Sequence, residues 1–281
     1  MENLFLHVSD STRKLYLHNL KKLGGDFTSL DFLTKTSDIL KRISEMKPTT
    51  GRSYLIAIVS ALKGRDQKLY DFYYEHMMKY NKALKDRTEK TPTQEANWES
   101  WSSIEELLQS RIASLPKKSR RKPLTEDEYD TMLNTILLCL YVLQPPRRSQ
   151  DYLQMIVGEP TNTDHNFLHN GKFYFNKYKT AKTYETQTEP ISDRLMDILK
   201  IYLKFRPSKD FLLVDYNGKP LERSNQITRR LNSIFGKKIS SSMLRNIYAS
   251  EKFSKVFKEL EHTADAMGTS VEQLKNTYTK H

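Results

Sequence analysis

The chain has 281 residues, of which 37% are apolar, so it can bury sizeable cores and suits two domains of ordinary size; wholesale disorder is excluded. Lys and Arg number 46 against 34 Asp and Glu, and the resulting net charge of +12 points to a polyanionic partner, nucleic acid being the commonest; a merely soluble basic protein is the alternative. No apolar run approaches the roughly 20 residues of a spanning helix, and residues 1–10 lack the basic and apolar regions of a secretory leader, so an intracellular chain with no membrane partner is expected.

With only 9 Gly and 10 Pro, a turn-rich all-β fold is disfavoured and helices are expected. Residues 1–85 form a first helical domain. Tyr16, Leu20 and Leu23 share one helix face, ending at Gly24-Gly25. Ile39, Ile43 and Met46 mark a second helix before Pro48. Tyr54, Leu55, Ile58 and Leu62 mark a third, and Leu69, Phe72, Tyr73, Met77, Tyr80 and Leu84 a fourth. Their basic outer faces can track a phosphate backbone or can simply be solvated. Residues 86–121 read as a linker. It holds a connecting helix on Trp98, Trp101, Ile104, Leu107, Leu108 and Ile112, then a basic strap bracketed by Pro116 and Pro123. Lys117, Lys118, Arg120 and Arg121 of that strap are candidate DNA contacts, the alternatives being a solvated linker or a nuclear localisation signal.

Residues 122–281 form a second domain. Thr125 and Glu128 have the spacing of a capping box ahead of an apolar helix, which ends at Pro145-Pro146. Cys139, the only cysteine, lies within that apolar run and reads as a buried, inert thiol. The seven histidines show no zinc-type spacing, and no metal or cofactor is expected. Asn170-Gly171 between strand-like runs signals a hairpin, residues 185–191 can add a third strand, and residues 211–214 suggest a fold-back segment. The expected fold class is mainly α with a small antiparallel β-sheet.

Breaking and rejoining DNA without a metal requires fixed cations on the phosphate, an acid for the leaving oxygen and a nucleophile. Pro145-Pro146-Arg147-Arg148-Ser149-Gln150-Asp151 resembles the first arginine motif of the tyrosine recombinases (integrases). Lys177-Tyr178-Lys179-Thr180-Ala181-Lys182, after the hairpin, resembles their lysine region. Ser241-Ser242-Met243-Leu244-Arg245 is similar to the His-x-x-Arg box, and Met267-Gly268-Thr269-Ser270 followed by Tyr278 to the Gly-His-Ser block and its tyrosine. The match covers the second domain in order and spacing, and looks closest to recombinases of viruses or large mobile elements. Ser242 stands where the family has His, and Thr269 where it has His or Trp.

The resemblance implies a two-domain recombinase-like architecture and a site-specific recombinase or integrase acting through a 3′-phosphotyrosine. Tyr278 would be the nucleophile, and Arg148 and Arg245 the phosphate clamp. Lys179 would be the acid, with Lys182 the alternate, and Ser242 and Thr269 would donate hydrogen bonds. Asp151 would be the supporting carboxylate and Arg147 a DNA contact. Double-stranded DNA is the implied partner, engaged by a tetramer on two sites. The alternatives are a catalytically impaired DNA-binding protein of the same fold and a type IB topoisomerase-like enzyme. Strand joining between two duplexes separates the three.

DNA binding should weaken steeply with salt, by about 0.9 log units per log unit of salt for each neutralised phosphate. Neutralising Lys117, Lys118, Arg120 and Arg121 together should flatten that slope by several units in a binding titration. An unchanged slope would make the strap a solvated linker.

Overall fold

Amphipathic spacing builds α1 (Asp10–Lys22), α2 (Thr36–Ser44), α3 (Pro48–Leu62) and α4 (Gln67–Lys85). The computed structural model describes residues 4–25, 29–85, 89–117, 119, 121–161, 164–179, 181 and 185–279. Ser9 caps α1 by accepting from the Thr12 amide, and Pro48 opens α3, where its missing N–H removes no helical bond. Leu20, Ile39, Ile43, Leu55, Ile58, Leu62 and Tyr73 are buried in one core. A Cβ on Gly51 would lie 3.0 Å from Tyr80 and 3.1 Å from Ile43, so glycine lets α3 approach α2 and α4 this closely. These helices belong to a unit spanning Met1–Lys90.

The second unit, Thr91–His281, begins earlier than the apolar pattern suggested. It includes α5 (Pro92–Asn97) and α6 (Trp101–Ala113). Ile104 and Leu108 are fully buried in its core, with Trp98, Trp101, Leu107 and Ile112 packed half-buried against it. The helix expected to connect two domains is thus part of this unit, because its apolar face needs that burial.

At the centre lies α7 (Glu126–Val142). Thr125 Oγ1 accepts from the Glu128 amide at 3.3 Å, and Glu128 Oε2 accepts from the Thr125 amide at 2.9 Å, completing the expected capping box. From Thr135 to Tyr141 every residue is fully buried, so α7 is covered on all sides. Burial pushes the Cys139 thiol up to about 12, in keeping with an inert group. After α8 (Ser149–Tyr152) comes a sheet in the order β1 (Ile156–Val157), β2 (Phe167–His169), β3 (Lys172–Phe175), β4 (Gln187–Pro190). Asn170 and Gly171 join β2 to β3 with φ of 47° and 73°, the backbone that an Asn-Gly turn supplies. Pairing is antiparallel from β2 to β4, but β1 runs parallel to β2. The expected antiparallel sheet is therefore mixed; a two-residue strand carries no alternation to read. Residues 211–214 do fold back, bridging Ile156 through Phe211 and Pro220 through Val214.

Phe173 and Phe175 bury one sheet face against Tyr152, with ring centroids 5.9 and 6.2 Å away. α9 (Asp193–Phe205), α10 (Ser224–Phe235) and α11 (Ser241–Ala266) also pack around α7. The chain then forms α12 (Val271–Gln273) and one π-helical turn, Leu274–Tyr278. No helix among the described residues is long and apolar enough to cross a membrane. Thr125→Ala should destabilise the second unit by about 1 kcal/mol, read from its denaturation midpoint. The first unit should be unaffected.

Candidate functional site

Pro145 and Pro146 stop helical hydrogen bonding after α7, and the chain runs extended to Arg148, the residue that precedes α8. A cleft of about 330 Å³ opens here, lined by Pro145, Pro146, Arg147, Arg148, Asp151, Tyr178, Gln187, Glu189 and Arg245 among others. Arg148 and Arg245 lie far apart in the second unit's sequence. Three hydroxyls explain their meeting. Tyr141 Oη on α7 donates to Ser149 Oγ at 3.3 Å, and Ser149 Oγ donates to Ser241 Oγ at 2.7 Å. Ser149 and Ser241 are buried, so each hydroxyl depends on the other for a partner. Ser149 adjoins Arg148, and Ser241 lies one helical turn before Arg245.

Arg147 is held far more firmly than its neighbour. Its Nε donates to Asp151 Oδ2 at 3.0 Å and its Nη2 to Gln187 Oε1 at 3.0 Å, while its guanidinium lies 3.7 Å from the Phe175 ring centroid. Asp151 is only 2% exposed, and its Oδ1 has no hydrogen-bond partner among the described residues. Burial raises the Asp151 carboxyl above its ordinary value, with Arg147 the main opposing influence. Arg147 and Asp151 therefore largely neutralise each other. Among the described residues, Arg148 and Arg245 are left as the cations lining the cleft, with the exposed Glu189 carboxylate also in its lining.

Asn166 fastens the lysine region to this wall. Its Nδ2 donates to the carbonyls of Asp151 at 2.9 Å and Lys177 at 2.8 Å, and its Oδ1 accepts from the Lys177 amide at 2.7 Å. Tyr178 follows, lining the cleft while its hydroxyl donates to the Glu185 carbonyl at 2.7 Å.

The structure thus brings Arg148, Arg245, Asp151 and Arg147 together. Lys179 is exposed and does not line the cleft, and Lys182 lies outside the described residues. Ser242, in the first turn of α11, is also exposed and outside the cleft. At about 1.5 Å per residue the 26-residue α11 is about 39 Å long, which carries Thr269 about 30 Å from Arg245 along the helix axis. There Thr269 Oγ1 donates to Gln273 Oε1 at 2.9 Å. Tyr278 is 55% exposed and not part of the cleft. Ser242 and Thr269, which the resemblance would place on the same phosphate as the arginines, lie outside the cleft in this conformation, as does Tyr278. α11 continues as an unbroken helix past Arg245, and that continuity carries Thr269 and Tyr278 away from it, while Ser242, at the start of the same helix, is exposed outside the cleft. In the strap, Lys117 and Arg121 are exposed, while Lys118 and Arg120 lie outside the described residues.

Sequence reasoning missed Asn166, Ser149, Ser241, Tyr178 and Gln187. For the Arg147–Asp151 pair the four-residue spacing of opposite charges was a usable signal. For Asn166 none existed, since its partners are backbone groups set by the fold. Among the described residues no group of three or more His, Cys, Asp or Glu is placed to hold a metal ion. No protein-family model matches the chain, and no curated protein sequence is significantly similar to it.

Arg147→Met should move the Asp151 carboxyl still higher, a shift measurable by carbon-detected NMR titration. Because the folded carboxyl binds its proton more tightly than the unfolded one, ionising it costs stability as pH rises through the raised value. The deficit of the variant should therefore be greatest near neutral pH, on the order of 3 kcal/mol, and shrink as pH falls to the usual carboxylate range.

Proposed function

We propose that the chain is a DNA strand-transfer enzyme of the tyrosine recombinase type, with a recombinase-like arrangement of two domains. One observation carries this: Arg148 and Arg245, far apart in sequence, converge on a single cleft beside a buried Arg147–Asp151 pair. Two forked, permanently charged side chains suit the non-bridging oxygens of one phosphodiester. The amino end of α11, beside the cleft, adds a favourable dipole for an anion.

In this reading the Tyr278 oxygen attacks phosphorus and the bond from phosphorus to the 5′-oxygen breaks. The product is a 3′-phosphotyrosine, and Lys179 or Lys182 supplies the proton taken up by the 5′-oxygen. The Tyr278 hydroxyl gives up its proton to water as its oxygen attacks, and the paired arginines stabilise the charge that builds on the phosphate oxygens. A 5′-hydroxyl from another duplex reverses the step, with the bond energy conserved. The length of α11 favours delivery of Tyr278 to the cleft of a second copy, within a tetramer on two DNA sites. Exposed Phe253, Val256, Phe257 and Met267 along and beyond that helix supply apolar surface for such assembly.

A second reading, a DNA-binding protein of the same architecture without chemistry, is favoured by the positions of Ser242, Thr269, Lys179 and Tyr278 outside the cleft. Nicked suicide substrates separate the two readings. The first predicts a covalent protein–DNA adduct on a denaturing gel. Tyr278→Phe should abolish the adduct while DNA affinity is kept. Arg148→Ala and Arg245→Ala should each slow its formation by at least about 100-fold. Mixing Arg148→Ala with Tyr278→Phe copies should restore adduct if Tyr278 serves a second copy's cleft. An adduct formed by Tyr278→Phe alone would refute the assignment, and none with the unaltered chain would favour the second reading.

A further inference from the structure

A separate cleft of about 720 Å³ opens beside the carboxyl-terminal turn of α9 and shares no residue with the arginine cleft. Its lining includes three aromatic rings, Tyr129, Phe205 and Tyr216, and three cations, Arg121, Lys122 and Lys204; among the described residues no carboxylate lines it. The Tyr129 ring is buried, with its hydroxyl donating to the Val214 carbonyl at 3.0 Å. Tyr216 is 40% exposed, and its ring centroid lies 6.0 Å from that of Tyr129, inclined by 60°. Lys204 Nζ lies 5.2 Å from the Phe205 ring centroid, so a cation and a flat apolar face are presented side by side.

We propose that this cleft binds an unstacked nucleotide, its base against Tyr216 and Phe205 and its phosphate against Arg121, Lys122 and Lys204. The volume falls in the range of small-ligand pockets, which admits one nucleotide. Three cations in the lining make the cleft positively charged, which attracts an anion. Aromatic faces select a planar ring over an aliphatic acid, and stacking of this kind tolerates any base. The same chemistry is offered by a free nucleotide and by an unpaired nucleotide within a strand; the strand source rests on the DNA reading of the chain, whereas the cleft does not.

The test uses the full chain and three fluorescent probes. They are 2-aminopurine deoxynucleoside 5′-monophosphate, a single-stranded oligonucleotide with one internal 2-aminopurine, and that oligonucleotide in a duplex. Stacking in the cleft should quench the single-stranded probe. Tyr216→Ala should weaken its binding about tenfold and Tyr216→Phe should not, because only the ring is required. Arg121→Gln with Lys204→Gln should weaken it at least as much and reduce its salt dependence. Tighter binding of the strand than of the monophosphate identifies a nucleotide within a strand as the ligand, and equal binding identifies a free nucleotide. Single-strand affinity unmoved by Tyr216→Ala overturns the proposal, as does displacement of the probe by poly-glutamate as readily as by nucleotide. Intact duplex binding alongside either failure leaves the arginine cleft untouched, whereas absent duplex binding with a quenched monophosphate counts only against the DNA reading.

Discussion

The hydroxyls of Tyr141, Ser149 and Ser241, buried and joined at 3.3 and 2.7 Å, tie α7, α8 and α11 into one block. Sliding any one of the three helices would break at least one of these bonds, and an unpaired buried polar group costs more than a single hydrogen bond contributes. The position of the cleft follows from this constraint. Arg148 adjoins Ser149 and Arg245 lies one helical turn beyond Ser241, and both line the cleft. Two like charges that line one cleft repel, and the rigid block supports them there. Such preorganisation makes fixed cations effective on a developing negative charge.

Around that block the charges are sorted by burial. Arg147 is wedged between Phe175, Gln187 and Asp151, so it serves as a wall. Asp151 is buried enough to be raised in pKa even beside a guanidinium, and while it is ionised it cancels the charge of Arg147. Adjacent arginines of identical chemistry thus take different roles. Asn166 extends the wall by holding the Lys177 backbone to that of Asp151 through three hydrogen bonds of 2.7 to 2.9 Å, which couples the sheet to the arginine motif.

The part of α11 beyond its first turns, and the turns after it, follow a different logic. Leu244 and Ile247 bury the start of α11, whereas Phe253, Val256 and Phe257 farther along are 39 to 56% exposed. A helix propagates cheaply once begun, and nothing in the run after Arg245 interrupts it. The segment bearing Tyr278 is thereby carried away from the arginines of its own chain.

Much of this architecture was legible from local patterns. The four helices of the first unit, the Thr125–Glu128 capping box and the Asn170-Gly171 hairpin each depend on residues within a few positions of one another. Periodicity and backbone sterics therefore determined them. The convergence of Arg148, Asp151 and Arg245 could be anticipated only through a resemblance of motifs in order. Tertiary structure alone decided the rest: the parallel β1, the inclusion of α6 in the second unit, the wedging of Arg147, the Asn166 clamp and the distance from Arg245 to Thr269. Each of these depends on which groups lose water together, and burial is a property of the packed chain that no short stretch of sequence contains.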